Sequence, residues 1–281
     1  MGKVDLHTHT TSSDGTLSPS EIIMYAKSKG IEILAITDHD TFDGIEQAYE
    51  TAEKNGIKLI CGTEISADYT PVLHILAYFR YDKYKSFENV LKTLQKSRQE
   101  RNPKILKKLN ELGFDIKFEE VIAKCHGNII GRPHFAQVMA DKGYVASTDE
   151  AFEKYLAEGR PAYVKKEKLS PQKTIEEVAR AGGVPVLAHP ILLGMEDQKL
   201  DELIVILKSY GLKGIEAYYT EHSHKYTQFL LDMANIHGLI VTGGSDFHGS
   251  VKKSIEIGTG YGNLEVPFYC AQDLMREMDK A

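Results

Sequence analysis

A chain of 281 residues with 42% hydrophobic content is long enough for one barrel-sized domain and a small insertion, and its formal charge of -6 argues against an extended basic track for a long nucleic-acid duplex. No apolar run approaches the ~20 residues that cross a bilayer, and the polar start Met1-Gly2-Lys3 lacks a signal peptide's apolar centre, so a cytoplasmic protein with no membrane partner is expected. Cys61, Cys125 and Cys270 leave an odd count and no C-x-x-C pair, so neither a disulfide framework nor a zinc knuckle is indicated.

The first apolar stretch, Val4-Asp5-Leu6, runs into His7-Thr8-His9. At a strand end, side chains i and i+2 project to the same side, so both imidazoles can reach one cation. Two surface histidines would be the commoner explanation of such a pair standing alone. Here it is followed by Asp14, and then by a well-marked helix with Ser18 as N-cap, Pro19 at the first position, Glu21 completing a capping box and Gly30 as the stop. The next apolar run closes on Thr37-Asp38-His39-Asp40. Glu64 follows Leu59 to Gly62, and His74 lies inside Val72 to Tyr78.

From about residue 86 to 169 the signals become almost continuously helical. Leu91, Leu94, Ile105, Leu106, Leu109 and Leu112 recur at helical spacing before Gly113. Gly131-Arg132-Pro133-His134 sits at a predicted helix start, a natural anion site where arginine offers a planar fork to phosphate. The residues alone leave this open against a surface arginine with a capping histidine. Lys104, Lys107 and Lys108, and Lys165, Lys166 and Lys168, read as solvated faces, although Tyr163 beside Lys165 is compatible with a short single strand.

Ser170-Pro171 signals another helix start. His189 then follows Val184 to Ala188, His222 follows the strand Gly214 to Tyr218, and Asp246-Phe247-His248 follows Leu239 to Gly244. His126, His224 and His237 have no motif around them and read as surface or helix histidines. Strands are predicted near 4 to 6, 33 to 37, 58 to 62, 72 to 78, 185 to 188, 214 to 218 and 239 to 243. Helical segments separate most of them, so they read as parallel strands whose carboxyl ends converge on one mouth. Seven strands is one short of the usual eight, which predicts a distorted (β/α)7 barrel. Its first segment spans residues 1–97, a helical insertion covering the site spans 98–169, and its second segment spans 170–281.

Together these motifs resemble the polymerase and histidinol phosphatase (PHP) family, whose distorted seven-stranded barrel carries a trinuclear metal site. His7-Thr8-His9, Asp14-Gly15, Thr37-Asp38-His39-Asp40, Glu64, His74, His189-Pro190 and Ser245-Asp246-Phe247-His248 match in type and order. Within the family the chain is most similar to the TrpH-like nucleoside phosphoesterases, through Gly131 to His134 and the helical insertion. The resemblance implies that His7 and His9 hold a first cation with Glu64 and Asp246. Asp14, His39 and His248 would hold a second, and Glu64 would bridge to a third at His74 and His189. Asp14 departs from the histidine many members carry there.

The resemblance also implies catalytic roles for Asp38, His39, Arg132 and His134 and substrate contacts from Arg132 and His134; Asp38 and Asp40 flank His39 and either orient an imidazole or ligate directly, and His222, placed after a strand, is read as a further substrate contact. Mixed nitrogen and oxygen ligands suit two or three divalent ions, manganese first, then iron, zinc or magnesium, rather than calcium. The expected activity is metal-dependent phosphoester hydrolysis, in which a hydroxide shared by two cations ~3.5 to 4 Å apart attacks phosphorus. The implied substrates are 3',5'-nucleoside bisphosphates or short 5'-phosphorylated single-stranded oligonucleotides. The competing readings are a histidinol-phosphate-type small-molecule phosphatase, a nuclease module of a DNA polymerase, and a non-catalytic metal-binding module.

Overall fold

The computed structural model describes residues 2–125, 130–165 and 167–281, so His126 and Lys166 lie outside the described residues. One sheet carries seven strands, β1 (Lys3–Asp5), β2 (Ile31–Ile36), β3 (Lys58–Ala67), β4 (Leu73–Phe79), β5 (Val184–Leu187), β6 (Gly214–Tyr219) and β7 (Ile240–Gly244), in that spatial order. The sheet curls until its edges meet. Past β1 and β7 the Leu6 N–H donates to the Gly243 carbonyl at 3.0 Å, the Asp246 N–H to His7 at 2.9 Å, and the His9 N–H to Phe247 at 2.9 Å.

The expectation of all-parallel strands is corrected at one position. β1, β2 and β3 are mutually parallel, as are β5, β6 and β7, but β4 runs antiparallel to both of its neighbours. The cause is the short connection 68–72: a parallel return needs a crossover of a dozen residues or more, whereas a reversal needs only a turn.

Around the barrel lie α1 (Pro19–Ser28), α2 (Ile45–Asn55), α3 (Glu88–Glu111), α4 (Phe118–Ile122), α5 (Arg132–Asp141), α6 (Thr148–Ala151), α7 (Pro171–Arg180), α8 (Asp197–Ser209), α9 (His224–His237) and α10 (Phe268–Lys280). α1 starts as its sequence predicts: the Ser18 side chain accepts from the Glu21 N–H and the Glu21 carboxylate accepts from the Ser18 N–H. Ser170 caps α7 by accepting from the Lys173 N–H.

Strand alternation sorts the apolar residues into layers. Ile33 and Ala35 join Val4, Ile60 and Val184 in the cluster that also takes Cys270, Leu274 and Met278 from α10, which thereby closes the amino-terminal end of the barrel. Leu34 and Ile36 face the other way, onto Ile22 and Ile23 of α1 and Ala48 of α2. The outer face of β4 to β6 packs with α8 and α9. Each such leucine or isoleucine, fully removed from water, stabilises the fold by roughly 1.5–3 kcal/mol before chain entropy is counted.

Residues 105–164 have a core of their own, with Ile105 and Leu109 packed against Phe135, Val138, Met139 and Leu156. α3 belongs to both: its Leu91 and Leu94 are buried in the barrel cluster, its Ile105 and Leu109 in this one, with Pro103 inside the helix between them. No helix among the described residues is long and apolar enough to cross a membrane.

Candidate metal centre

The carboxyl ends of the parallel strands and the amino end of β4 form one mouth, so strand reversal delivers His74, near the start of β4, to the same place as residues that end the other strands. His7 and His9 arrive past β1, His39 past β2, His189 past β5, and Asp246 and His248 past β7; Glu64 projects from β3 itself. Asp14 comes from the loop before α1, which is fastened by the Gly15 N–H to Thr10 at 2.9 Å and the Thr16 N–H to His248 at 3.1 Å. Among the described residues, the non-glycine positions with positive φ are Asp40, His189 and Asp246. Each such conformation costs of order 1–3 kcal/mol and clusters at functional sites.

These side chains form three overlapping groups in which one ligand atom per residue lies within 4.8 Å of the others. His7, His9, Glu64 and Asp246 make the first; His9, Asp14, His39 and His248 the second; Glu64, His74 and His189 the third. The side chains that the resemblance names as ligands thus lie together in three sets, His9 standing in the second as well as the first. Glu64 stands between them all. Its Oε2 lies 3.4 Å from His7 Nε2 and 3.3 Å from both His9 Nε2 and His39 Nδ1, while its Oε1 lies 2.5 Å from His74 Nδ1 and 2.8 Å from His189 Nε2.

The donor set fits divalent cations on a test independent of sequence. His7 Nε2, both ring nitrogens of His9 and His39 Nδ1 are buried without a hydrogen-bond partner. Burying such atoms unpaired costs free energy that a bound cation recovers. Burial pushes the His39 imidazole down to about 3, keeping it neutral as a ligand must be. Burial opposes charge on His7 too, yet Glu216, Glu64 and Asp246 raise its pKa well above the usual range. Carboxylates that favour a proton there favour a divalent cation for the same reason.

A supporting layer orients the ligands. Glu216 Oε1 lies 2.9 Å from His7 Nδ1 and accepts its proton-bearing nitrogen, which turns the Nε2 lone pair toward the cluster. His248 uses Nδ1 likewise, 2.8 Å from the Asp246 carbonyl. Asp5 seals the barrel seam by accepting from Ser245 N–H at 2.9 Å, Ser245 Oγ at 2.6 Å and Gly258 N–H at 2.7 Å.

The sequence profile of the PHP domain matches residues 5–169. The chain belongs to the PHP family. It is 35% identical over 88% of its length to a 5'-3' exoribonuclease of Haemophilus influenzae, covering 90% of that protein. It is 31% identical over 92% of its length to a 3',5'-nucleoside bisphosphate phosphatase of Chromobacterium violaceum, covering 91% of that protein. Its fold superposes with a TM-score of 0.86 on the structure of an amidohydrolase from Chromobacterium violaceum with bound sulfate and no metal, at 30% identity, over 98% of this chain and 96% of the other. It is a metal-dependent phosphoesterase.

Beside this PHP cluster, Asp14, His39 and His74 line a cavity of about 150 Å³. The same cavity is lined by Arg98, Arg101, Arg132 and Lys168, with Phe152 and Tyr163. Arg98 is held by Asp40, Nη2 to Oδ2 at 2.6 Å and Nε to Oδ2 at 2.7 Å, a link between the barrel mouth and α3. Arg132 donates to the Leu156 carbonyl at 2.8 Å and lies over the rings of Phe152 and Tyr163. Arg101 is buried; desolvation together with the Arg98 and Arg132 guanidinium groups pushes its pKa down to about 9. An anion in the cavity would relieve that crowding.

Three expected roles read differently in place. Asp38 accepts from the Thr10 N–H at 2.8 Å, Thr10 Oγ1 at 2.6 Å and Ser13 Oγ at 2.6 Å, so it secures the loop leading to Asp14 instead of orienting an imidazole. His134 is buried, and its Nδ1 accepts from the Gly131 N–H at 2.9 Å, capping α5. His222 is buried behind Tyr219, with Nδ1 2.9 Å from the Ala217 carbonyl, and lines a different cavity.

Arg98, Arg101, Glu216, Tyr219 and Lys252 are absent from the sequence expectation, and Lys168 appears there as a solvated residue. Glu216 did carry a signal, an acid within the apolar strand Gly214–Tyr219. Lys165 is exposed and paired with Asp68 at 3.1 Å, as a surface lysine should be.

Proposed function

We propose that the chain hydrolyses nucleotide phosphate esters that carry two phosphates: 3',5'-nucleoside bisphosphates, short 5'-phosphorylated oligonucleotides, or both. The observation that carries this reading is one cavity lined both by Asp14, His39 and His74 of the candidate metal groups and by Arg98, Arg101, Arg132 and Lys168. One phosphate would lie at the cluster and another against the arginines. The names of the two relatives, a bisphosphate phosphatase and a 5'-3' exoribonuclease, favour the same substrate pattern.

His7, His9, Glu64 and Asp246 would hold a first cation, His9, Asp14, His39 and His248 a second, and Glu64, His74 and His189 a third; manganese suits these donors, with iron, zinc or magnesium able to replace it. When bound, such ions supply Lewis acidity and activate water at neutral pH. The chain's own role is binding and orientation. Arg132 and Arg101 engage the second phosphate and hold the substrate in line with the cluster. His134 acts through the start of α5, which it caps, and α3 and α5 with Phe152 and Tyr163 cover the site and exclude water. His222 supports Tyr219 from behind. A single strand would enter this mouth, and binding of a long duplex is not expected of a chain with a formal charge of -6.

The test is phosphate release by the purified, manganese-loaded protein from 3'-phosphoadenosine 5'-phosphate, a 5'-phosphorylated short RNA and histidinol phosphate side by side. Selective turnover of either nucleotide is expected. Preference for histidinol phosphate would keep the metal site and overturn the substrate, and silence on all three would leave a metal-binding module.

A further inference from the structure

Asp246 offers its two oxygens to different surroundings. Oδ1 faces the cluster, 3.5 Å from His7 Nε2, 3.3 Å from His9 Nε2 and 3.4 Å from His248 Nδ1. Oδ2 faces away and accepts from two donors, Lys252 Nζ at 2.6 Å and the Tyr219 hydroxyl at 3.0 Å. Tyr219 is buried and Lys252 half-buried, whereas the adjacent Lys253 is exposed.

The lysine's backbone is fixed as well. The 3-10 turn Gly249–Lys252 is tied to the Asp14 loop by the Ser250 N–H donating to Thr16 Oγ1 at 2.9 Å, and the Lys252 carbonyl accepts from the Ile255 N–H at 3.0 Å. A surface lysine meeting a carboxylate by chance needs none of this anchoring.

We propose that Lys252 is a positioning residue that acts through Asp246: with Tyr219 it occupies Oδ2, makes Asp246 a one-oxygen ligand, and holds a positive charge against the first ligand group. Two effects follow from the arrangement. The ammonium opposes a cation in the group His7, His9, Glu64 and Asp246, so the group binds less tightly than its carboxylates alone would dictate. Occupying Oδ2 also keeps that oxygen from chelating, and a catalytic site, unlike a structural one, must keep a coordination position open. The lysine thus exchanges affinity for an open position.

This rests on the metal-site reading above, and the experiment separates the two. Manganese(II) binding is measured calorimetrically on the metal-stripped wild type, Lys252→Met, Lys252→Arg, Tyr219→Phe and, as a control, Lys253→Met, with turnover of 3'-phosphoadenosine 5'-phosphate followed in parallel. Lys252→Met is expected to bind its tightest manganese about tenfold more tightly while kcat falls about tenfold. Lys252→Arg restores both, Tyr219→Phe slows turnover with unchanged affinity, and Lys253→Met resembles wild type.

A lysine that merely supports the fold gives the opposite sign, weaker binding with slower turnover, and that result overturns the proposal. So does unchanged affinity, or unchanged kcat, in a Lys252→Met protein with a wild-type circular dichroism spectrum. Should Lys252→Met fail to fold, Lys252→Gln takes its place with the same expected signs. Failure of the wild type itself to bind manganese would remove the metal-site reading first.

Discussion

Glu216 joins two candidate ligands that are 182 positions apart in the chain: one carboxylate oxygen takes His7 Nδ1 at 2.9 Å and the other takes the His189 backbone N–H at 2.7 Å. A strand in the middle of the second half of the barrel thereby sets the ring orientation of a ligand from the first strand and the backbone of another from the fifth.

Glu216→Ala should lower manganese affinity by about 10–100-fold, the usual effect of removing a group that orients a metal-binding histidine. Calorimetric titration of the stripped variant measures it. Unchanged affinity would mean that His7 finds its tautomer without help.

Arg132→Ala should weaken action on 3'-phosphoadenosine 5'-phosphate far more than on p-nitrophenyl phosphate. One charge-assisted contact is worth about 1.5–3 kcal/mol, or roughly ten- to a hundredfold in kcat/KM. His9→Ala should abolish both activities, since His9 belongs to two ligand groups. Equal losses on the two substrates in Arg132→Ala would remove the arginine from the second phosphate.

Asp40 is fully buried and Arg98 nearly so, with the pair at 2.6 Å. Removing one partner leaves an uncompensated charge, so Asp40→Ala should lower the unfolding free energy by about 3–5 kcal/mol. Denaturant melts read this directly. A loss no larger than that of an exposed pair such as Lys85 and Glu46 would show that water reaches the arginine.

Manganese should stabilise the fold by mass action. At a free concentration 100 times Kd, the unfolding free energy rises by ~2.7 kcal/mol, and a chelator reverses it. The rise should shrink in His9→Ala, which leaves intact only the group Glu64, His74 and His189. A melting midpoint indifferent to manganese in the wild type contradicts a preformed metal site.

Gly244 lies where a β-carbon would collide with the backbone nitrogen and Cβ of His7. Gly244→Ala forces β7 away from the chain past β1 and should destabilise the protein by about 1–3 kcal/mol, as overpacking does. Manganese affinity should fall with it, because His7 and Asp246 sit across the same seam. Stability lost without any change in manganese binding would mean that the ligands ride on regions of the barrel the seam does not control.

The gathering of these side chains at one mouth was legible in the sequence because histidines and carboxylates at the ends of apolar runs have few other reasons to recur. The direction of β4 was not, since alternation gives a strand's faces and not its sense; only the brevity of 68–72 hinted at reversal. The surroundings of Asp38 were not legible either, because it lies beyond the end of β2 (Ile31–Ile36), where alternation no longer tells which way a side chain turns, and its partners Thr10 and Ser13 come from a loop distant in sequence. Arg98 and Arg101 fall on α3 among Lys92, Lys96, Lys104, Lys107 and Lys108, and nothing in that spacing separates the cations that turn inward from those that stay in water. Which helix face is covered depends on the partner core, and that is a tertiary fact.

α3 is buried at one end in the barrel and at the other in the helical layer. A beam built into two walls does not swing. Opening the cavity by lifting the layer would require bending the beam near Asn102 and Pro103, next to Arg101 and about one turn from Arg98, so any such flexing would carry both guanidinium groups with it. The cavity's width and its charge are for that reason one variable, and a substrate too large for the resting shape meets a site whose grip changes as it yields.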